Sequence, residues 1–448
     1  MHILSVEFAS VASGFFFFGV FVVLFVFFQL FFGAGKRTGI LHATDLPPVD
    51  SRGFLRALAH ITASSTGRGG KITVLEGGAE FLKALLEAIK SAKKSINITA
   101  YIWEAGEMTD TVARALGEKA KSGVEVRLLL DGVGSSLSNT SRQLTELQKT
   151  GAQVRYFRGI RFGKLTRIHR RNHRRAMIID GKIGFTGGVA FADYWLKNVK
   201  RKKVWRDLMF RLTGVLARSL QVAFSELWAN AAGEVIAGKR FYPTLPKRED
   251  TKEGDRKYPK HNGESQPFIQ LASSPSSDIH PLSKFWWFSA AAARKRIYLV
   301  TPYFVPNKSF HHILTERAKG GVDVRIILPS NRVMDRPFVN WAAHSYYWEL
   351  LEAGVRIFEY TPAMIHTKIL LVDDCWSIFG TANTDFRSFE LNEENVFGVQ
   401  DQTLTNKLLQ VFDEDMKNCK EIFFERWKRR SIFPRLREKI ILLFAEQF

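Results

Sequence analysis

Cysteine is almost absent: Cys375 and Cys419 are the two in 448 residues. Two thiols cannot staple a fold with a disulfide framework, and their spacing matches no metal site. A reducing compartment suits such a chain. Acidic residues are scarce beside basic ones, 44 Asp and Glu against 65 Lys and Arg, a formal charge of +21. That excess says nothing about fold; it calls for an anionic partner, either nucleic acid or an anionic membrane surface. No recognisable nucleic-acid-binding module is present. Charge is missing altogether from VASGFFFFGVFVVLFVFFQLFFGA, Val11 to Ala34. The run is long enough to cross a bilayer core, which takes about 20 residues. It also lacks the basic flank of a secretory signal peptide, since Glu7 and no Lys or Arg precedes it. A transmembrane anchor is expected. Lys36 and Arg37 follow at once, with Arg52 and Arg56 beyond, so the bulk of the chain is expected on the cytoplasmic side of that membrane.

What remains is too long for one small core, and it divides in two. The first half runs EFLKALLEAIKSAKKSINITAYIW, KSGVEVRLLLD, KTGAQVRYF, then HRRAMIIDGKIGFTGG from His173. The second runs KFWWFSAAAARKRIYLVTPYF, KGGVDVRIILP, EAGVRIFEY, then HTKILLVDDCWSIFGT from His366. Each half reads as helix, strand, helix, strand, helix, strand, strand. The strands are short Val- and Ile-rich runs bounded by Gly. Gly123, Gly151, Gly321 and Gly354 stand where helices should end. Alternation of this kind predicts an α/β class: two pseudo-repeated α/β sandwich units packed on each other, each built on a mainly parallel or mixed sheet.

The expected organisation is a flank at 1–10, a transmembrane helix at 11–34, a juxtamembrane linker at 35–70, a first unit at 71–237, an exposed linker at 238–267, a second unit at 268–426 and a basic amphipathic tail at 427–448. The linker at 238–267 is rich in Pro, Gly and both charges, a composition that packs no core. The tail WKRRSIFPRLREKIILLFAEQF reads equally as an interfacial helix on anionic lipid or as an ordinary packing helix.

Both repeated stretches read His, one residue, a cation, four residues, Asp. A lone His-x-Lys is a weak signal, because an isolated histidine is usually a satisfied surface or core residue. Two at matching positions of a duplication are another matter. An imidazole can attack phosphorus and form a covalent intermediate. A second can protonate the leaving alcohol and deprotonate the incoming one. A Lys or Arg offsets the charge on the phosphate oxygens. One copy supplies one histidine, so two facing copies supply both roles. On a strand, residues two apart share a side, so His366 and Lys368 face together.

The two stretches resemble the H-x-K-x4-D signatures of the phospholipase D superfamily. The likeness covers about Ile72 to Gln400. GTANTDFRSFELNEENVFGV from Gly380, TPYFVPN from Thr301, SYYWELLEAGVRIFEY from Ser345 and WRDLMFRLTG from Trp205 are similar to bacterial cardiolipin synthases in particular. The resemblance implies His366, Lys368, Asn383 and Glu394 in the phosphate site, Asn383 donating to a phosphate oxygen and Glu394 holding a motif imidazole in its tautomer. Asp373 completes the second motif, as local support. In the first copy it implies His173 and Asp180, with Asp207 at the acidic position. Two positions depart: Arg175 replaces the family's Lys, and Ala190 stands where the family has Asn. The implied activity is a membrane-anchored phosphatidyltransferase that joins two phosphatidylglycerol molecules and releases glycerol through a phosphohistidine, with His173 as nucleophile and His366 as acid/base, or the reverse. No metal or other cofactor is implied. Partners are phosphatidylglycerol and anionic membrane lipids, with no nucleic acid expected. A hydrolase using water, and a non-catalytic membrane or nucleic-acid binder with a decayed first site, stay as alternatives. The basic run RGIRFGKLTRIHRRNHRR, Arg158 to Arg175, suits headgroups, nucleic acid or plain solvation.

Overall fold

The computed structural model describes residues 18–20, 23, 39–135, 139–159, 170–200, 203–244, 266–275 and 280–442. The expected transmembrane helix at 11–34 lies outside the described residues apart from 18–20 and 23. Among the described residues no helix is long and apolar enough to cross a membrane.

Strands of the first half are β1 (Ser65–Arg68), β2 (Ile72–Glu76), β3 (Ser95–Ala100), β4 (Glu125–Asp131), β5 (Gln153–Phe157), β6 (Ala176–Ile179), β7 (Ile183–Gly187) and β8 (Leu208–Thr213). Those of the second are β9 (Pro267–Ser273), β10 (Arg296–Val300), β11 (Asp323–Pro329), β12 (Arg356–Tyr360), β13 (Ile369–Val372), β14 (Trp376–Gly380), β15 (Glu394–Gln400) and β16 (Cys419–Ile422). Among the described residues they form a seven-stranded sheet, β2-β8-β7-β6-β3-β4-β5, and a nine-stranded sheet, β1-β9-β15-β14-β13-β10-β11-β12-β16. Once β1 and β16 are removed from its edges, the second order repeats the first, strand for strand. Both sheets are mixed. β3 pairs in parallel with β4 and β4 with β5, as β10 does with β11 and β11 with β12. The motif hairpins β6–β7 and β13–β14 are antiparallel.

Parallel neighbours need crossover helices, and these cover the outer faces. Helices Gly77–Ser91, Glu107–Lys121 and Ser141–Lys149 follow the first sheet's strands, and Pro281–Ala291, Lys308–Lys319 and Pro337–Glu352 follow the second's. The four glycines expected at helix ends all hold positive φ, from 87° to 97°. The inner faces of the sheets share one apolar core, in which Leu208, Phe210 and Ile178 meet Ile369, Phe379 and Phe397. Phe210 and Phe379 stack at 3.9 Å between ring centroids.

The structure alters two expectations about boundaries. Residues 52–68 are no linker. Helix Arg52–Thr62 buries Phe54 and Leu58 against Phe288 and Trp376, and β1 pairs with β9. The start of the expected linker at 238–267 also packs: Phe241 is buried under the Arg127 guanidinium at 5.0 Å, while 245–265 lie outside the described residues. In the tail, helix Ile432–Leu442 buries Glu438, yet Phe433 and Leu436 stay 78% and 56% exposed. One face packs and another stays open.

Candidate active site

The chain enters each motif through the opposite half. Asn172 bridges Glu393, and Arg206 bridges Ile365. The His173 amide donates to the Glu393 carbonyl at 3.0 Å, and the His366 amide donates to the Arg206 carbonyl at 2.7 Å. These reciprocal bridges carry both histidines to the join between the sheets. Asp131, at the end of β4, fixes the approach of the first motif by accepting the Asn172 amide at 2.8 Å.

Each histidine is then held by the acid of the other half. His173 Nδ1 lies 2.9 Å from Glu394 Oε1, and His366 Nδ1 lies 2.8 Å from Asp207 Oδ2. Facing a carboxylate, Nδ1 carries the hydrogen and donates it, which leaves Nε2 as the reactive nitrogen. The cations stand beside their own histidines. Lys368 Nζ is 3.1 Å from the His366 Nε2 and donates to its backbone carbonyl at 2.7 Å. Arg175 Nη1 is 3.3 Å from His173 Nε2. A cavity of about 230 Å³ opens over this cluster, lined at its base by His173, Arg175, His366 and Asn383.

The acids have different companions. Glu394 accepts from Thr381 Oγ1 at 2.6 Å and Ser388 Oγ at 2.8 Å. Burial opposes its charge, but His173 and these hydroxyls outweigh it and keep the carboxyl below its usual range. Asp207 accepts from Trp195 Nε1 at 2.9 Å and from the Leu208 amide at 2.8 Å. Burial dominates there and pushes the carboxyl up to about 7. Burial also pushes His173 down to about 4 and His366 well below the usual imidazole range. Lys368 falls to about 7 for the same reason.

Asp180 and Asp373 stand apart from this cluster. Asp180 accepts the amides of Lys93, Lys94 and Ser95. Asp373 accepts those of Arg294, Lys295 and Arg296. Each sits at φ 53° and ties its motif hairpin to the start of β3 or β10. Asp180, expected among the site residues, thus acts as Asp373 does: both reach backbone, because four residues of strand and turn separate each from its motif cation. Ala190 is buried within the outer apolar core of the first half, whereas its counterpart Asn383 faces the cavity.

Trp195, Thr381, Ser388 and Asp385 escaped the sequence reading. Thr381 and Ser388 flank Asn383 in GTANTDFRSF and could have been found as hydroxyls beside a buried acid. Trp195 carried no polar signal. Asp385, raised to about 6 by burial, accepts Asn383 Nδ2 at 3.2 Å. Among the described residues no group of three His, Cys, Asp or Glu side chains could hold a metal ion. The arrangement offers two histidines, the buried Arg175 and an amide on one cavity, with buried Lys368 behind His366. It can bind a phosphodiester, take its phosphorus on one ring and move a proton on the other.

The model of the family described as cardiolipin synthase, PLD-like domain, matches residues 85–198 and 289–416. Cardiolipin synthase 2 of Bacillus anthracis is 34% identical over 83% of this chain and 69% of its own length. Cardiolipin synthase 1 of Bacillus cereus is 35% identical over 83% and 71%, and cardiolipin synthase of Staphylococcus aureus 31% over 88% and 76%. Among solved structures, phosphatidylserine synthase of Haemophilus influenzae superposes with a TM-score of 0.63 over 88% of this chain and 97% of its own, at 17% identity. That likeness is one of fold.

Proposed function

The chain belongs to the cardiolipin synthase, PLD-like domain family and is a phosphatidyltransferase of that type, and from that premise we propose that it joins two phosphatidylglycerol molecules, with release of glycerol, through a phosphohistidine. The observation that carries this reading is the unequal pair of acids. Glu394 is held ionised by three donors, so His173 keeps its proton on Nδ1 and offers a lone pair at Nε2. Asp207, raised to about 7, shares an exchangeable proton with His366 near neutrality. His173 is accordingly the nucleophile and His366 the acid/base.

In the first step His173 Nε2 bonds to phosphorus, the P–O bond to glycerol breaks, and His366 gives the proton to the departing oxygen. In the second a hydroxyl of another phosphatidylglycerol gives its proton to His366 and attacks phosphorus, which releases His173. Lys368, Arg175 and Asn383 meet the charge that grows on the phosphate oxygens.

The lipid is drawn from a membrane surface. The apolar run at 11–34 with Lys36 and Arg37 behind it supports a single-pass anchor in a bacterial inner membrane, with the site on the cytoplasmic side. Exposed Phe433, Leu436 and Ile440, beside Arg435 and Arg437, support contact of the tail helix with anionic lipid. The test is turnover in phosphatidylglycerol vesicles, with His366→Ala as control. Cardiolipin and glycerol should appear together and vanish in the variant. Phosphatidic acid with glycerol would mean that water is the acceptor.

A further inference from the structure

A pocket meant for a phosphodiester should present hydrogen-bond donors, because the phosphate itself offers only acceptors at neutral pH. The base of this cavity obeys that rule. The rest of its lining mixes donors with acceptors: Arg171, Arg336 and Arg387 stand there beside groups that only accept. Glu104 and Asp335 put carboxylates on its wall, one from each half. Asn383 and Asn392 add two amides, both more than nine-tenths buried. Each of these amides has a carbonyl oxygen without a hydrogen-bond partner. Orphaned buried acceptors cost free energy unless a ligand supplies donors.

We propose that Glu104, Asp335 and Asn392 Oδ1 form a polyol subsite that binds the free hydroxyls of a glycerol headgroup beside the reacting phosphate. The proposal rests on the phosphatidyltransferase reading and names the part of the site that selects the alcohol. Tyr303 donates its hydroxyl to Asp335 at 2.8 and 3.0 Å, and Tyr194 donates to Glu104 at 3.4 Å. These phenols orient the carboxylates and leave oxygen lone pairs for a vicinal diol, since an ionised carboxylate accepts about four hydrogen bonds. The catalytic steps use none of Glu104, Asp335 and Asn392. Arg336 beside Asp335, 3.9 Å away, and Arg171 on the same wall keep the carboxylates from repelling the lipid phosphate. A site built to hydrogen-bond a hydroxyl rejects the analogue that lacks it far more strongly than an apolar pocket rejects an extra group.

The experiment is a competition between small alcohols. The full chain in mixed micelles of phosphatidylglycerol is given labelled glycerol, 1-propanol or ethanolamine, and the phosphatidyl products are measured. The unsubstituted protein should favour glycerol over 1-propanol by about a hundredfold, within the range of hydroxyl-reading sites. Glu104→Gln, Asp335→Asn and Asn392→Leu should each reduce that ratio about tenfold, as loss of a charge-assisted or buried bond does. Tyr303→Phe should reduce it less. A role confined to stability would lower all products together and leave the ratio alone, and that outcome overturns the proposal. So does a preference for ethanolamine, which would mark the carboxylates as an ammonium site. Absence of product with every acceptor, water included, in the unsubstituted chain contradicts the transferase reading first and this one with it.

Discussion

At the scale of single residues the account turns on four groups that can be changed one at a time. Asp207→Asn and Glu394→Gln keep the shape of each acid and remove its charge, so each histidine loses its preferred tautomer. Each substitution should lower kcat by roughly a hundredfold or more with little change in folding, by analogy with triad acids. A steady-state assay beside a thermal melt checks this. Lys368 shares the alkaline limb with the Asp207–His366 proton. Its ammonium, pushed down to about 7 by burial, is charged below that pH and neutral above it, so kcat/KM should fall as pH rises through about 7. Lys368→Arg carries a charge that does not titrate in this range. The variant should be slower, and its alkaline limb should be shallower, leaving only the fall that loss of the Asp207–His366 proton causes; an unchanged limb would assign it to that pair alone.

The two departures from the family pattern meet in the first motif. Arg175 reaches His173 from two residues along the chain and feels both site acids, and we propose that its longer fork covers the donor missing at Ala190. Arg175→Lys alone should cost about 2–4 kcal/mol in the barrier, the worth of one donor to the growing charge. Adding Ala190→Asn should recover part of that loss. Kinetics of the single and double variants decide it, and a harmless single swap would end the compensation idea.

At the scale of elements, the tail helix Ile432–Leu442 is held by charge. Glu438 receives Arg430 at 2.7 Å and faces His344 at 3.7 Å, while Glu359 lies 3.3 Å from the same imidazole. Tyr347 and Trp427 pack on that ring. Burial opposes the imidazolium, and the two carboxylates outweigh it, so His344 is raised above its usual value. A raised value means stability present in full below the unfolded value of about 6.5 and lost as pH climbs through the folded one. Hydrogen exchange over 432–442, corrected for intrinsic rates, should show protection that weakens as pH rises through neutrality. His344→Gln should flatten that dependence.

Elements were also the part most legible in the sequence. Apolar runs bounded by Gly gave β3, β4, β10 and β11, because central strands buried on both faces read as continuous apolar runs, while β5 and β12 keep exposed positions. Helix Arg52–Thr62 was missed for want of context: its Phe54 and Leu58 have a face to bury only once the second half is present. The pairing of acids with histidines was illegible for another reason. Glu394 lies 221 residues from His173 and Asp207 lies 159 from His366, and within each half the acid follows its own motif. Nothing local says that the partners are exchanged. The exchange comes from the reciprocal bridges at Asn172 and Arg206, which exist only when the halves face each other.

At the scale of the whole molecule, the duplication and the chemistry are one fact. Neither half contains a complete histidine–acid pair, and the shared core between the sheets is what brings the pairs together. Phe210→Ala removes the ring stacked on Phe379, and should destabilise the protein by about 3–5 kcal/mol, as large-to-small changes in closed cores do. Chemical denaturation measures it; the loss should be cooperative across both halves, and a variant that unfolds one half alone would contradict the single core.

The most direct test of the central claim is to trap the intermediate. Purified protein is mixed with phosphatidylglycerol labelled in its phosphate, quenched in alkali within one turnover, and the labelled peptide is sequenced by mass spectrometry. The expected result is acid-labile, base-stable label on His173, absent in His173→Ala and accumulating in Asp207→Asn. Cardiolipin formed with label on neither His173 nor His366 would contradict the account.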